Sequence, residues 1–506
     1  MQFSHTVRIP LSLFLHVIYL VASVISPAEA QVSENYRVGG ELPAKLHQNI
    51  VASELLLKLQ GIKRDIKARA KISTLNDAIE VALLHSPDLA VAYAQIQNSQ
   101  WNLIAVRRQW YPTLIATSST IPGQDFRSTN ITVNGNKDGT TNSRSLTAGV
   151  TLTLAWTFFD PRRGPNINSA SESLRRQKLL FDVSARNLVL RVQETYFLLQ
   201  EFEELVRAYE DIQAYTDRQV VFAEAQFNGG LISVADLEQI RTQQYSNLNL
   251  LIGAYNKVLE NGAQLAEALA MPPGTIVLPA DSIRKFGSWS EPLPETIAQA
   301  LRMREEIQAS LAAAESVSWQ ATSLFNTYWP RFNLGASGTA ASANNTSDAP
   351  GQETTKTSSR DWNGGVGLGF TWQLFDGGIN AANAQASQAQ ARQFKQQAAV
   401  DRLKITREVE QAYSTYLTSQ LALLSTNAQA QAARKALVAV QARYDVGVSD
   451  MASVVQTLSR AIEAASANAT ATRSHNSAVA RLYRTSARWP EGTQTQLQHR
   501  TNNLNQ

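Results

Sequence analysis

Cysteine is absent from the 506 residues, so neither a disulfide framework nor a lipid carried on an N-terminal cysteine is available. Histidine is scarce. His5, His16, His47, His85, His475 and His499 lie far apart, with no metal-ligand spacing and no nucleophile–base motif among them. These scarcities argue against an enzyme, and no cofactor or metal is expected. An excess of one charge is missing too. Lys and Arg number 46 against 42 Asp and Glu, and a net +4 is too little to argue for a nucleic-acid partner. The densest basic group, Lys63 to Lys71, reads as a solvated helix face rather than a polyanion contact. Long apolar runs are also lacking: after residue 30 no segment approaches the ~20 apolar residues of a spanning helix.

The beginning of the chain reads as a secretory signal over residues 1–30. Arg8 supplies positive charge, Ile9–Ile25 is largely apolar, and Ala28-Glu-Ala30 offers small residues for cleavage. Residues 31–73 form a leader with no counterpart later on. Beyond it the chain repeats itself. Leu75–Pro112 aligns without a gap on Leu293–Pro330, bringing Ala82 onto Ala300, Trp101 onto Trp319 and Pro112 onto Pro330. Trp156–Asp160 then falls on Trp372–Asp376, and Phe227–Gly230 on Tyr444–Gly447. A duplication of this length means two equivalent units, at 75–270 and 293–487. Met271-Pro-Pro-Gly274 to Pro292 breaks every period and reads as a linker at 271–292. The polar stretch 488–506 reads as a disordered tail.

Each unit changes hydrophobic period twice. Residues 75–110 are helical, with a break at Ser86-Pro87, because proline removes a donor and restricts its predecessor. Strands follow. Leu146, Val150, Leu152, Leu154, Trp156 and Phe158 alternate with Ser145, Thr147, Gly149, Thr151 and Thr153, a period of two with one apolar face. Trp362, Val366, Leu368, Phe370 and Trp372 alternate with Asn363, Gly365, Gly367 and Gly369 in the second copy. Weaker strands precede each, around Leu114–Ser118 and Phe332–Ala336. The intervening Pro122–Arg144 and Ala340–Asp361 read as solvated loops. Aromatics gather at one end of each strong strand, the girdle pattern of a membrane β-barrel.

Long helices come next. An apolar stripe runs from Phe181 to Phe227 in steps of four and three, a sustained heptad. Its counterpart from Ala398 to Tyr444 is weaker, with Arg402 as the clearest violation. Each helix runs for roughly 60 residues, or about 90 Å. Gly229-Gly230 and Gly447 read as C-caps, and Ser233 with Ser449 or Asp450 as N-caps of returning helices.

Four alternating strands cannot close a barrel, and an open edge in lipid leaves backbone groups unpaired at several kcal/mol each. Several copies must therefore combine. Three give twelve strands and a lumen, which the small and polar Gly and Thr of the inner face suit. The fold class expected is mainly α with membrane β: a tandem α-β-β-α-α repeat, a trimeric twelve-stranded β-barrel with four strands per chain, and a long α-helical coiled-coil barrel continuing it.

The tandem repeat, the Tyr111-Pro112 and Trp329-Pro330 junctions, Trp156–Asp160, Trp372–Asp376 and the two helix tips together resemble the TolC-type outer-membrane efflux family, from Leu75 to about Ala487. The resemblance implies a homotrimer in outer-membrane lipid with its helical part in the periplasm. It implies a periplasmic membrane-fusion adaptor and an inner-membrane pump of ABC or RND type as partners. Such a duct passively exports drugs, toxins or secreted proteins, in tripartite efflux or type I secretion. By resemblance, Gly230, Leu231, Ser233, Gly447, Val448 and Ser449 form the adaptor-docking tips. Asp236, Tyr444, Asp450, Ser453 and Gln456 line the periplasmic gate. Tyr444 and Asp236 match latch positions, but the family's latch arginine falls at Ser449. The acidic entrance ring falls at Ser453 and Gln456, which leaves Asp450 as the nearest replacement charge.

Rival readings explain less. Gly364-Gly-Val-Gly-Leu-Gly369 tempts towards a dinucleotide loop, but these glycines sit in an alternating strand. A general porin needs strands throughout. A purely structural coiled-coil surface protein without a transport role leaves the duplicated strand pairs unexplained.

Overall fold

In the computed structural model, residues 47–133, 136–490 and 493 are described. The signal at 1–30, the leader up to residue 46 and nearly all of the tail after Pro490 lie outside the described residues. The chain forms two compact units, 1–61 and 62–506. The described part of the first is the start of helix α1 (His47–Arg69), which from Ile62 onwards belongs to the second.

In the second unit, β1 (Ala70–Ser73) leads to α2 (Leu75–His85), whose N-cap Thr74 and third residue Asp77 form a capping box. Pro87 opens α3 (Pro87–Arg108) in the first turn, where a missing N–H costs nothing. The expected break is therefore present. Strands β2 (Thr113–Val133) and β3 (Asn136–Phe159) precede two long helices, α4 (Arg163–Asn228) and α5 (Val234–Ala268). After β4 (Ile276–Pro279) the order recurs: α6 (Leu293–Met303), α7 (Glu305–Phe325), a 3-10 turn, β5 (Arg331–Asp348), β6 (Thr355–Thr371), α8 (Ile379–Asp445) and α9 (Met451–Thr485).

Two sequence expectations need correction. The stretches at 122–144 and 340–361 are mostly strand, not loop, since β2 runs to Val133, β3 starts at Asn136, β5 reaches Asp348 and β6 starts at Thr355. Their Asn, Thr and Ser carry no apolar alternation, because backbone hydrogen bonds alone hold a ladder outside a core. Pro122 is tolerated because it falls within a register shift of the β2–β3 ladder, between Thr120 and Gly123. Secondly, 271–292 is more than a linker. Its β4 pairs in parallel with β1 of the leader, Ala70 to Ile276 through Ser73 to Pro279, so the two unrepeated segments bind each other. Farther along, Asn476 of α9 accepts from Phe286 N–H (2.7 Å) and donates to the Arg284 carbonyl (2.8 Å). A feature the sequence did not signal is that the second copy also breaks its upstream helix, at Arg304, without any proline. Its backbone angles (φ −71°, ψ 124°) match those of Ser86 (φ −57°, ψ 126°).

Buried ion pairs hold that second break. Arg304 reaches Glu306 at 2.6 Å and Glu408 of α8 at 2.5 Å, and Arg484 of α9 reaches Glu306 at 2.8 Å. Burial alone would raise the Glu306 pKa, but the hydrogen bond and charge of Arg304 outweigh it and bring the carboxyl down to about 2.

The heptad stripe lies where its period puts it. Twelve of its fourteen residues in α4 are buried, and Phe202 and Phe227 are partly so. In α8 the stripe is buried from Ile405 to Ser419 and half-buried from Leu423 to Val440, while Arg402 faces solvent. No helix among the described residues is long and apolar enough to cross a membrane.

Replacing Arg304 by Ala leaves Glu306 with Arg484 alone and takes from Glu408 its buried partner, and should cost about 3 kcal/mol at neutral pH. Because the folded Glu306 pKa is depressed, its share of stability is present above about pH 4.5 and is lost as pH falls towards about 2. The gap in thermal stability between wild type and Arg304→Ala should therefore narrow over that acid window. A gap that stays constant with pH would contradict this role.

Candidate functional site

The sheet has two unlike faces. Its order is β2-β3-β5-β6, antiparallel throughout, and β3 with β5 joins the two repeats. On one face the register lines up Leu114, Leu154, Ala336 and Val366, with Trp156, Leu334 and Leu368 in the next row. On the other it lines up Thr117, Thr151, Thr339 and Asn363, with Ile115, Thr153, Ser337 and Gly365 beside them. The Thr151 and Thr339 hydroxyls meet at 3.0 Å. Along β3 the apolar residues are the more exposed: Leu146, Val150 and Leu152 keep 40–50% of their surface, while the threonines between them are half-buried. A soluble sheet would show the reverse.

Aromatic rings close the helix-proximal end of the apolar face. Phe158, Phe159 and Phe370 each stack near Phe332, with centroids 5.9–6.2 Å apart. The junctions below are duplicated to the atom. Trp156 Nε1 donates to the Trp110 carbonyl, and Trp372 Nε1 to the Tyr328 carbonyl, both at 2.9 Å. Each indole thus ties the end of a strand to the residue two before the junction proline. The tryptophans were legible in the sequence; their carbonyl partners carried no signal.

At the other end of α4 and α8 are the tips. Gly230 (φ +73°) and Gly447 (φ +74°) sit in the left-handed region just past each helix end. Leu231 N–H donates to the Gln226 carbonyl and Gly230 N–H to that of Phe227; Val448 to Arg443 and Gly447 to Tyr444 repeat the pattern. These are two Schellman caps, and only glycine adopts that φ without strain. They leave Leu231 and Val448 exposed at 76% and 65%.

The N-caps that follow are a matched pair with their groups exchanged. Ser233 caps α5 with Asp236 as third residue, and their oxygens are 2.6 Å apart. Asp450, not Ser449, caps α9 with Ser453 as third residue, accepting from its N–H at 2.8 Å. The Ser453 hydrogen bonds hold the Asp450 carboxyl below its usual range. Gln456 is exposed.

The structure brings both tips into one cluster, in which Val220, Ala223, Leu237 and Ile240 pack against Tyr444, Met451 and Val454. The expected Tyr444–Asp236 latch is not formed within the chain. Asp236 is engaged in its capping box, and Tyr444 Oη donates instead to Gln226 Oε1 at 2.8 Å. Burial, then the nearby Asp236 and Asp445, push the Tyr444 pKa up. Phe222 stands edge-on to Tyr444 with centroids 6.2 Å apart, and Tyr215 donates to Gln441 between the same two helices. Gln226, Tyr215 and Gln441 went unread in the sequence because no periodicity marks a polar side chain that bridges coils.

Among the described residues no cluster of His, Asp and Glu could hold a metal.

Comparison with known proteins agrees with this geometry. None of the curated proteins compared matches the chain. Among solved structures, the CmeC outer-membrane channel of Campylobacter jejuni superposes with a TM-score of 0.66 at 16% identity, over 85% of this chain and 89% of that one. The outer-membrane protein VceC of Vibrio cholerae gives 0.62 at 17% identity, over 81% and 95%. The open MtrE channel of Neisseria gonorrhoeae gives 0.62 at 17%, over 82% and 89%. At such identities the likeness is one of fold. Residues 78–271 and 296–488 both match the outer membrane efflux protein description, once per repeat. The chain therefore belongs to the outer membrane efflux protein family, as a channel of the outer membrane rather than an enzyme.

Proposed function

We propose that three copies of this chain close a twelve-stranded barrel, and that the channel serves as the exit duct for a periplasmic adaptor and an inner-membrane pump. The observation that carries the reading is the four-stranded sheet with an apolar face and two unpaired edges, β2 and β6. In lipid those edges must find partners, and another copy supplies them by pairing β6 with β2. The apolar run from Leu146 to Phe158 spans about 40 Å along the strand. A barrel tilt of about 45° reduces that to the ~30 Å of a hydrocarbon core. The Thr and Gly face then lines the lumen.

The long helices carry charge along their length and leave the barrel at Arg163 and Ile379, so they stand in the periplasm. Each extends about 100 Å. The tips lie at the far end, where Leu231 and Val448 offer apolar contacts to an adaptor and Ser233 and Ser449 flank them. The gate is the Asp236, Tyr444, Asp450, Ser453 and Gln456 region. In place of a Tyr–Asp latch, the Tyr444–Gln226 bond holds α8 to α4, and the acidic entrance is reduced to Asp450.

Native mass measurement of the detergent-extracted protein should give a trimer; a stable monomer or dimer rules out the closure proposed. Leu152→Arg or Leu368→Arg places charge in lipid at about 2–4 kcal/mol near the midplane, and should depress trimer yield in outer-membrane fractions. Thr153→Arg and Gly369→Arg, on the lumen face, should assemble normally. Equal yields would reverse the assignment of the faces.

Gly447→Val forces a β-branched residue into the left-handed region and should distort the tip by about 1–2 kcal/mol of local strain. The mutant should still insert as a trimer but lose export. Tyr444→Phe, which deletes the bond to Gln226, should raise single-channel conductance. Normal export by the first, together with unchanged conductance of the second, would remove the docking and gating roles from the tips.

A further inference from the structure

The tandem repeat provides an internal control, because a surface treated differently in two copies of one unit marks a difference in use. In the first repeat, the surface formed by α4 and α5 is occupied by the part of α1 from Ile62 onwards. Lys63 of α1 donates to both carboxylate oxygens of Glu210, at 2.6 and 2.8 Å, and Tyr255 of α5 donates to the same carboxylate. Ile66, one turn on from Lys63, is buried. Among the described residues, the matching surface of the second repeat, between α8 and α9, is open. A groove of about 580 Å³ runs there between Leu421, Leu424 and Asn427 of α8, Thr472 of α9, and Arg284 and Lys285 of the inter-repeat segment. By the alignment of the two tips, Asn427 and Thr472 stand where the first repeat has Glu210 and Tyr255.

The outer rim of the groove differs in the same sense. Leu421 and Leu424 are 69% and 70% exposed, where the first repeat carries Glu204 and Arg207, an ion pair at 3.1 Å. Closing the helical ring does not cover this position. Helix α4 already packs on α3, α5, α7 and α9 within the chain, and Glu204 and Arg207 still keep 43% and 50% of their side-chain surface. A neighbouring copy that completes the surroundings of α8 in the same way leaves both leucines in water. Arg284 and Lys285 are exposed beside them and pair with no carboxylate among the described residues.

We propose that this groove is a docking site for an acidic amphipathic helix of a partner protein. The leucines take its apolar stripe and Arg284 and Lys285 its carboxylates. A helix is the fitting shape because a helix covers the equivalent surface in the first repeat. A second copy of α1 is the wrong sign: its lysine meets Asn427 instead of a carboxylate, and its other basic residues meet Arg284 and Lys285. The site is distinct from the tips, since Asn427 lies about 30 Å along α8 from Gly447.

The test uses the purified full-length protein in detergent and three fluorescent helical peptides of about 18–23 residues, a length at which a staple secures the helix. One carries leucines at helical spacing with glutamates flanking them, the second has every glutamate replaced by lysine, and the third is residues 47–69 of this chain. Fluorescence anisotropy should show the acidic helix binding about tenfold or more tighter than the other two. Transplanting the first repeat's residues, Leu421→Glu with Leu424→Arg, should abolish that binding. Arg284→Glu with Lys285→Glu should invert the preference to the lysine peptide, which a merely misfolded variant would not do. Equal binding of acidic and basic helices, tighter binding of the 47–69 peptide, or no binding at all would overturn the proposal. So would a photo-crosslinker at Leu421 that yields protomer–protomer adducts, because the face would then be a subunit contact.

Discussion

An unpaired backbone amide in hydrocarbon costs several kcal/mol, and the architecture of this chain depends on that penalty. Among the described residues the sheet leaves β2 and β6 without outer neighbours, and none forms a layer over its apolar side. A four-stranded sheet with leucines turned outward and threonines sheltered has no stable place in water. Under the proposed closure lipid reverses the account: the outward leucines become the favoured face, and the open edges become the instruction to assemble. In the proposed barrel everything on the helical side is then free to be charged, because the sheet alone would meet the membrane.

The duplication solves the geometry of the two ends with the same devices. At the strand-to-helix junctions an indole donates to a carbonyl in each copy. At the tips a Schellman glycine and an N-cap pair recur, with serine and aspartate exchanged between the cap and its third residue. Where the copies diverge, different chemistry reaches the same backbone. Proline breaks the upstream helix in the first repeat, and Arg304 with Glu306 and Glu408 stabilises the equivalent break in the second. The unrepeated segments are used as a clasp, β1 of the leader lying along β4 between the repeats.

Much of this could be read from residue order, for a physical reason. Periods of two and of three to four, and glycines past a helix end, are local consequences of side-chain geometry. They predicted the long helices, the stripe from Phe181 to Phe227, the two strong strands, and the capping residues Gly230, Gly447 and Ser233. The polar halves of the strands escaped notice because a ladder outside a core imposes no apolar alternation. The break at Arg304 escaped because it is held by charges more than a hundred residues away in Glu408. At the tips, Tyr444 and Asp236 were read as latch positions, whereas the capping box claims Asp236 and Gln226 takes the tyrosine hydroxyl.

The sequence by itself determined that this protein has two equivalent units, where the long helices and the apolar parts of the strands lie, and which side of each strong strand is apolar. These depend on neighbours within a turn or two along the chain. The tertiary structure alone decided the strand order β2-β3-β5-β6, the rows of facing residues, the pairing of leader with inter-repeat segment, and the partners of Tyr444 and Arg304. Those are contacts between residues far apart in the chain, and no local period encodes which distant surface a side chain will meet.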